Sequence, residues 1–123
     1  MQLTKAEEQL MQVLWGIGEG TVQDILQKFK DPKPARTTIS TILNILEGKN
    51  FVEHTTQGRV NIYTPVVQKE EYSKKQLSSV VKNYFNGSLS TMISFFAKEN
   101  NLSIEEMDKI IEDIRKDLKE NEK

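Results

Sequence analysis

The sequence predicts a mainly α-helical protein that carries one small β-hairpin. Apolar residues recur at helical spacing through most of the 123 residues, whereas the stretch Phe51–Pro65 is rich in strand formers around a glycine turn. The order of these patterns is also informative, since three short helical patterns precede the hairpin and three follow it. The sequence therefore predicts two segments, residues 1–66 and residues 67–123.

Two capping boxes mark the starts of the first two helices. Thr4 with Glu7 begins a helix predicted over Lys5–Trp15, and Thr21 with Asp24 begins a second, shorter helix. In each box the two side chains satisfy backbone N–H groups that have no partner inside the helix. The sequence therefore predicts two helices joined by a short turn.

The third helix, predicted over Ala35–Glu47, has two faces of different composition. The apolar stripe that we expect to contact the core comprises Ile39, Ile42, Leu43 and Leu46. The small polar residues of the other face are Thr37, Ser40, Thr41 and Asn44. Because Thr, Ser and Asn form helix less readily than the Glu and Lys of an ordinary solvated face, this composition favours a docking surface. A merely exposed helix face is the alternative.

The chain has little net charge, but one segment is basic. Residues 1–66 contain 7 basic and 7 acidic side chains, and the whole chain has a net charge of −1. The segment Lys28–Arg36 contains four basic residues and one acidic residue, a net charge of +3. Any attraction to phosphate would have to come from such a local segment.

A helix-turn-helix followed directly by a hairpin is the winged-helix arrangement. In such proteins the third helix enters the major groove of DNA, and the hairpin, or wing, lies against the DNA backbone. The strands are predicted over Phe51–Thr56 and Arg59–Pro65, with Gln57 and Gly58 as the turn. This pattern predicts binding to double-stranded DNA. A winged-helix module that binds protein and makes no DNA contact is the alternative.

The segment after the hairpin is predicted to be a helical dimerisation domain. It contains a helix that ends before Asn86, a helix over Leu89–Lys98 and a last helix capped by Ser103 with Glu106. Three short helices bury little of their own apolar surface, so we expect a homodimer. The predicted dimerisation residues are Leu89, Met92, Ile93, Phe96, Met107, Ile111, Ile114 and Leu118. An intramolecular packing face is the alternative, because the heptad-like spacing is too short to establish a coiled coil.

The composition excludes several classes of function. Without cysteine, the chain has no disulfide, thiolate metal site or cysteine nucleophile, and we expect neither a metal nor a cofactor. No apolar run reaches the length of a membrane span and no signal-peptide pattern is present, so we expect a cytoplasmic protein. The single histidine, His54, lies in the hairpin without a recognisable catalytic partner, and the glycines of residues 16–20 lack the spacing of a phosphate-binding loop. We therefore expect no enzyme and no catalytic residues.

Five ordered pieces of the chain carry a family resemblance. They are LTKAEEQLMQVLW, TVQDIL, TTISTILNILEGKNFV, GRVNIYTPVV and NNLSIEEMDKII. Together they resemble the penicillinase-repressor family of winged-helix transcriptional regulators, the BlaI/MecI/CopY type. The resemblance implies a repressor that binds a dyad-symmetric operator as a homodimer. It implies that bases and phosphates are contacted by Thr37, Thr38, Ser40 and Thr41, and that Arg59 lies in the basic site of the wing.

The predicted DNA-binding set also includes two residues that come from the patterns above. These are Arg36, which ends the basic segment, and Asn44, which lies on the polar face of the third helix. The chain departs from the family pattern nearby, since Ala35-Arg36 replaces Ser-Pro and removes a good N-cap, and Asn50 replaces a glycine. Because the chain has no cysteine, we do not expect it to share the copper sensing of some relatives.

The resemblance further implies how repression ends. In that family a membrane sensor with a metalloprotease domain triggers cleavage of an Asn-Phe bond in the fifth helix. The corresponding bond here is Phe95-Phe96, in which phenylalanine replaces asparagine. We therefore expect slow or absent cleavage of the free dimer, and release only when a cognate sensor protease is present. The alternative is that both phenylalanines are simply core or interface residues.

Overall fold

The structure is a computed structural model that describes residues 3–121. In chain order its elements are α1 Lys5–Ile17, α2 Val22–Lys28, α3 Arg36–Gly48, β1 Val52–Gln57, β2 Val60–Pro65, α4 Lys69–Tyr84, α5 Leu89–Glu99 and α6 Ile104–Asn121. The predicted fold class, mainly helical with one hairpin, is confirmed. The helix-turn-helix and wing of the first five elements form a winged helix.

Local capping explains where the first helices begin and end. The Thr4 hydroxyl oxygen accepts from the Glu7 N–H at 3.2 Å, and the Glu7 carboxylate accepts from the Thr4 N–H at 3.1 Å. Thr21 and Asp24 form the same reciprocal box before α2. Helix α1 continues past the predicted end at Trp15 and ends at Ile17. It ends there because the next residue, Gly18, has a positive φ of 87°, which stops the helix.

The core of the first compact unit comes from α1, α2, α3 and the hairpin. Its most buried side chains are Leu10, Met11, Leu14, Ile25, Ile39, Leu43, Leu46 and Val52. On α3 the predicted core residues are buried except Ile42, which is half-buried. Burial of each leucine or isoleucine stabilises the folded state by about 1.5–3 kcal/mol.

The first unit extends through Lys75, past the predicted boundary at residue 66. The reason is Tyr72 on α4, whose ring lies 5.7 Å from that of Trp15 and whose hydroxyl donates to the Glu8 carboxylate at 3.0 Å. These contacts join residues that are far apart in sequence, so the periodicity of α4 alone does not reveal them. The start of α4 therefore belongs to the first unit.

The hairpin is an antiparallel pair whose register runs from Val52 opposite Pro65 to Gln57 opposite Val60. Its two turn residues are Gly58 and Arg59, so Arg59 lies in the turn and not in the predicted strand. Gly58 has a φ of 63°, the positive value that a type II′ turn requires at its first central position. Arg59 is thereby placed at the tip of the wing.

A backbone bridge fixes the hairpin to the connection between α1 and α2. The Gly20 N–H donates to the Tyr63 carbonyl at 3.0 Å, and the Tyr63 N–H donates to the Gly20 carbonyl at 2.8 Å. A Cβ atom on Gly20 would lie 2.9 Å from Cδ1 of Ile17 and 3.0 Å from Cβ of Asp24. Glycine therefore fits between the side chains of Ile17 and Asp24, where a larger residue would force one of them to shift.

The second unit begins at Gln76 and contains the remainder of α4 with α5 and α6. Within it the rings of Phe85 and Phe95 lie 5.7 Å apart. Helix α6 begins at the predicted capping box, in which Ser103 and Glu106 exchange two hydrogen bonds of 3.1 Å. Among residues 3–121 no helix combines the length and apolarity needed to cross a membrane.

An ion pair joins α1 to the residue that follows α3. Glu7 is only 5% exposed, and its carboxylate accepts from the Lys49 ammonium at 2.6 Å. The hydrogen bond from Lys49 lowers the pKa of Glu7 below its ordinary value of 4.5, against the opposing effect of burial. Ionised Glu7 therefore stabilises the fold above the pKa of an unfolded glutamate, and that contribution is lost as the pH falls through the lower pKa of the folded state.

Replacing Lys49 with Met should leave the buried Glu7 carboxylate without its charged partner. We expect the free energy of unfolding at neutral pH to fall by about 1.5–3 kcal/mol, the usual contribution of a hydrogen bond to a charged group. Acid should then cost Lys49→Met less stability than it costs the unmodified protein, because Lys49 no longer lowers the pKa of Glu7. Urea titrations at neutral and acid pH measure both effects, with Lys74→Met as the control because Lys74 on α4 is exposed. Identical pH profiles for the two variants would contradict this role of the pair.

Candidate nucleic-acid interface

The outward face of α3 collects uncharged polar side chains. Those that are exposed are Thr37, Thr38, Thr41 and Asn44, and Ser40 is half-buried. Burial of Ile39 and Leu43 on the opposite side determines that this face points outward. Thr38 and Ile42 lie on one flank, where they line an open groove of about 650 Å³ that α1 also lines. The structure thus brings the polar face together as predicted, with Thr38 at its edge.

Most of these polar groups have no partner in the part of the chain that the structure describes. The Thr41 hydroxyl donates to the Thr37 carbonyl at 2.9 Å, which leaves its oxygen free to accept. On this face, hydrogen bonds to other described residues are absent from the side chains of Thr37, Thr38, Ser40 and Asn44. The face therefore offers free donors and acceptors, which is what base edges in a DNA groove require.

The first turn of α3 is held by a side chain from α2. Ala35 occupies the N-cap position and provides no side-chain hydrogen bond, as its replacement of a serine predicts. The guanidinium of Arg36 donates through Nη1 to Oε1 of Gln23, and both residues are exposed. Sequence patterns gave no signal for Gln23, because its role depends on how α2 and α3 meet.

The basic segment divides into paired and free lysines. The ammonium of Lys33 donates to three backbone carbonyls at the C-terminal end of α2, where the negative end of the helix dipole favours a cation. Lys28 and Lys30 are exposed and have no partner among the described residues. The ammonium groups of this segment that have no partner among the described residues are therefore those of Lys28 and Lys30, whereas Lys33 keeps its charge but is held against α2.

A side-chain contact joins the wing to α3. Nδ1 of His54 lies 2.8 Å from a carboxylate oxygen of Glu47, and the His54 ring lies 5.4 Å from that of Tyr63. Arg59 at the wing tip is exposed and has no partner in residues 3–121. His54 therefore connects β1 to α3, and Arg59 is available to an external anion.

The predicted dimerisation residues lie on α5 and α6 of the second unit. Two of them, Met92 and Met107, are half-buried. The others, Leu89, Ile93, Phe96, Ile111, Ile114 and Leu118, are 42 to 61% exposed. No described residue of α5 or α6 is buried. Within a single chain the apolar faces of these two helices thus remain largely uncovered.

The bond predicted as a cleavage site lies inside α5. Phe95 and Phe96 are 54% and 61% exposed, so neither is a core residue of the single chain. The Phe96 carbonyl accepts from the N–H of Asn100 at 3.1 Å and from its side-chain amide at 2.8 Å. A protease that binds an extended substrate would therefore have to open this part of the helix first.

Comparison with known proteins now identifies the family. The family model described as "Penicillinase repressor" matches residues 3–116. The chain belongs to the penicillinase repressor family. The penicillinase repressor of Bacillus licheniformis is 28% identical over 110 residues, which are 89% of this chain and 86% of that protein. The methicillin resistance regulatory protein MecI of Staphylococcus aureus (strain N315) is 18% identical over 110 residues, 89% of either chain.

Among solved structures, an ArsR family transcriptional regulator is similar to part of the chain. It is 17% identical with a TM-score of 0.42, and the match covers 73% of this chain and 100% of that one. Membership in the penicillinase repressor family confirms the resemblance carried by the five sequence pieces. Because members of this family are transcriptional regulators, it also confirms that the chain is not an enzyme.

Proposed function

We propose that this transcriptional repressor binds a dyad-symmetric DNA operator as a homodimer in the cytoplasm. The observation that carries the proposal is the outward face of α3, where Ser40 and Asn44 have polar groups without intramolecular partners. A helix with one buried apolar face and one free polar face is suited to the major groove, whose base edges present a distinct pattern for each base pair.

The residues of the proposed interface divide into two roles. Asn44 and Ser40 would contact base edges, and asparagine pairs well with the N6 and N7 atoms of adenine. Arg59 at the wing tip, with Lys28 and Lys30, would contact phosphates, which position the protein without reading sequence. Thr37, Thr38 and Thr41 have hydroxyl groups that suit either role.

Titration of labelled upstream DNA at two salt concentrations tests DNA binding. With about 6 to 10 phosphate contacts, affinity should fall about a thousandfold or more from low to moderate salt. Asn44→Ala should relax base preference at one position of each half-site, whereas Arg59→Ala should weaken binding to all DNA sequences about equally. Lys109→Ala on α6 is the control for loss of a charge. Absent or salt-independent binding would favour the alternative, a winged-helix module that binds protein.

The proposed homodimer rests on the uncovered apolar faces of α5 and α6. Neither helix buries a described side chain, although Ile111, Ile114 and Leu118 repeat along one side of α6. A second copy of these helices would cover the same residues on both chains, as a two-fold interface requires. Burial of each such side chain contributes about 1.5–3 kcal/mol when complete.

Ile111→Asp should place an unpaired charge in the proposed interface and separate the two chains. The first unit should remain folded, because its core lies in residues 3–75. Operator affinity should fall together with the dimer. Sedimentation velocity measures the association state, and Lys109→Asp introduces the same side chain on the opposite side of α6 as a control. An intact Ile111→Asp dimer would move the interface elsewhere.

For release from the operator we propose cleavage between Phe95 and Phe96 by a sensor protease. Both rings are exposed in the single chain, so they are available to pack in the dimer interface or to enter a protease pocket. Because the bond lies in hydrogen-bonded helix, cleavage requires local opening of α5. Cleavage there would detach the rest of α5 and all of α6 from the winged helix.

Mass spectrometry of the protein recovered from induced cells tests this release. We expect fragments that end at Phe95 only when the sensor protease is present. Phe95→Asn restores the asparagine of the family's bond and should be cut faster, whereas Phe96→Asp should not be cut, because it removes the apolar side chain after the bond. An intact chain in cells whose target genes are expressed would rule out proteolytic release.

A further inference from the structure

The hydrogen bond between α2 and the first residue of α3 assigns a role to Gln23. We propose that Gln23 is a positioning residue that holds the Arg36 guanidinium ready to read a guanine in each operator half-site. The inference rests on the proposed DNA-binding function and adds a residue and a base preference to it. Its basis is the contact between Arg36 Nη1 and Gln23 Oε1.

Arg36 occupies the position from which a recognition helix reads bases. It is the first residue of α3 and is exposed. In helix-turn-helix proteins the N-terminal residues of this helix contact base edges, and arginine paired with O6 and N7 of guanine is the commonest specific contact. A guanidinium has five N–H donors, so the bond to Gln23 leaves donors for the base.

The partner of Arg36 is neutral, and this determines what the contact can do. A carboxylate would hold the guanidinium more strongly but would offset its positive charge in front of the DNA. The adjacent carboxylate, Asp24, is instead occupied by the Thr21 N–H at 3.0 Å. Gln23 therefore orients Arg36 while leaving its positive charge in place. An arginine already held in this way loses less side-chain entropy on binding.

The test measures base discrimination rather than affinity alone. Each guanine of the half-site is replaced by adenine in turn, and binding is titrated for the full-length protein and its variants. The unmodified protein should lose about 5- to 150-fold affinity at one guanine. Arg36→Ala should abolish that discrimination, and Gln23→Ala should reduce it by about 2- to 10-fold, because a free Arg36 side chain must then be ordered when it binds the base. The double variant should match Arg36→Ala, since Gln23 acts through Arg36.

Two further variants separate positioning from a general structural effect. Gln27→Ala makes the same change on an exposed residue of α2 and should preserve discrimination. Gln23→Glu keeps an acceptor for Arg36, so it should preserve discrimination while weakening binding to every sequence through its added negative charge. The inference is overturned if Gln23→Ala weakens binding to all DNA sequences equally, or if the double variant loses more discrimination than Arg36→Ala. No operator binding by the unmodified protein would overturn the proposed function and this inference together.

Discussion

The rotation of α3 about its own axis depends on three buried side chains, Ile39, Leu43 and Leu46. They lie in one core with apolar residues of α1, such as Leu10 and Leu14. Successive residues of a helix are about 100° apart, so a shift of one position would turn the polar face toward the core. Each polar group buried without a partner costs about 1–3 kcal/mol. The core therefore determines which side chains of α3 an external partner can reach.

Three contacts from outside α3 add to this orientation. Lys49 joins the end of the helix to Glu7 on α1, the His54 ring joins β1 to Glu47, and Gln23 holds Arg36 at the start. The bridge between Gly20 and Tyr63 then ties the hairpin to the turn before α2. With both ends of α3 fixed, its exposed face is presented with little freedom, which limits the entropy lost on binding.

The parts of the structure predicted from sequence are those set by local signals. The caps at Thr4, Thr21 and Ser103 act within three residues, and the stripe on α3 follows from helical periodicity. Contacts over long sequence separations were not predicted. These include the bond of the Trp15 indole to the Val67 carbonyl at 2.9 Å and the contacts that extend the first unit to Lys75. Gln23 was missed for the same reason, while the DNA-binding and dimerisation residues remain predictions.

The uncovered faces of α5 and α6 give the proposed dimer a physical role in repression. A domain is stable by only about 5–15 kcal/mol, so helices that bury none of their side chains gain much from a second copy. Linking two DNA-binding units raises overall affinity by about 10²–10⁴ without any new DNA contact, because the second half-site is bound at high effective concentration. Loss of α6 would remove that gain while the core of the winged helix, which lies within residues 3–75, stays intact. In this arrangement the second unit can control operator occupancy although it contributes no residue to the proposed DNA interface.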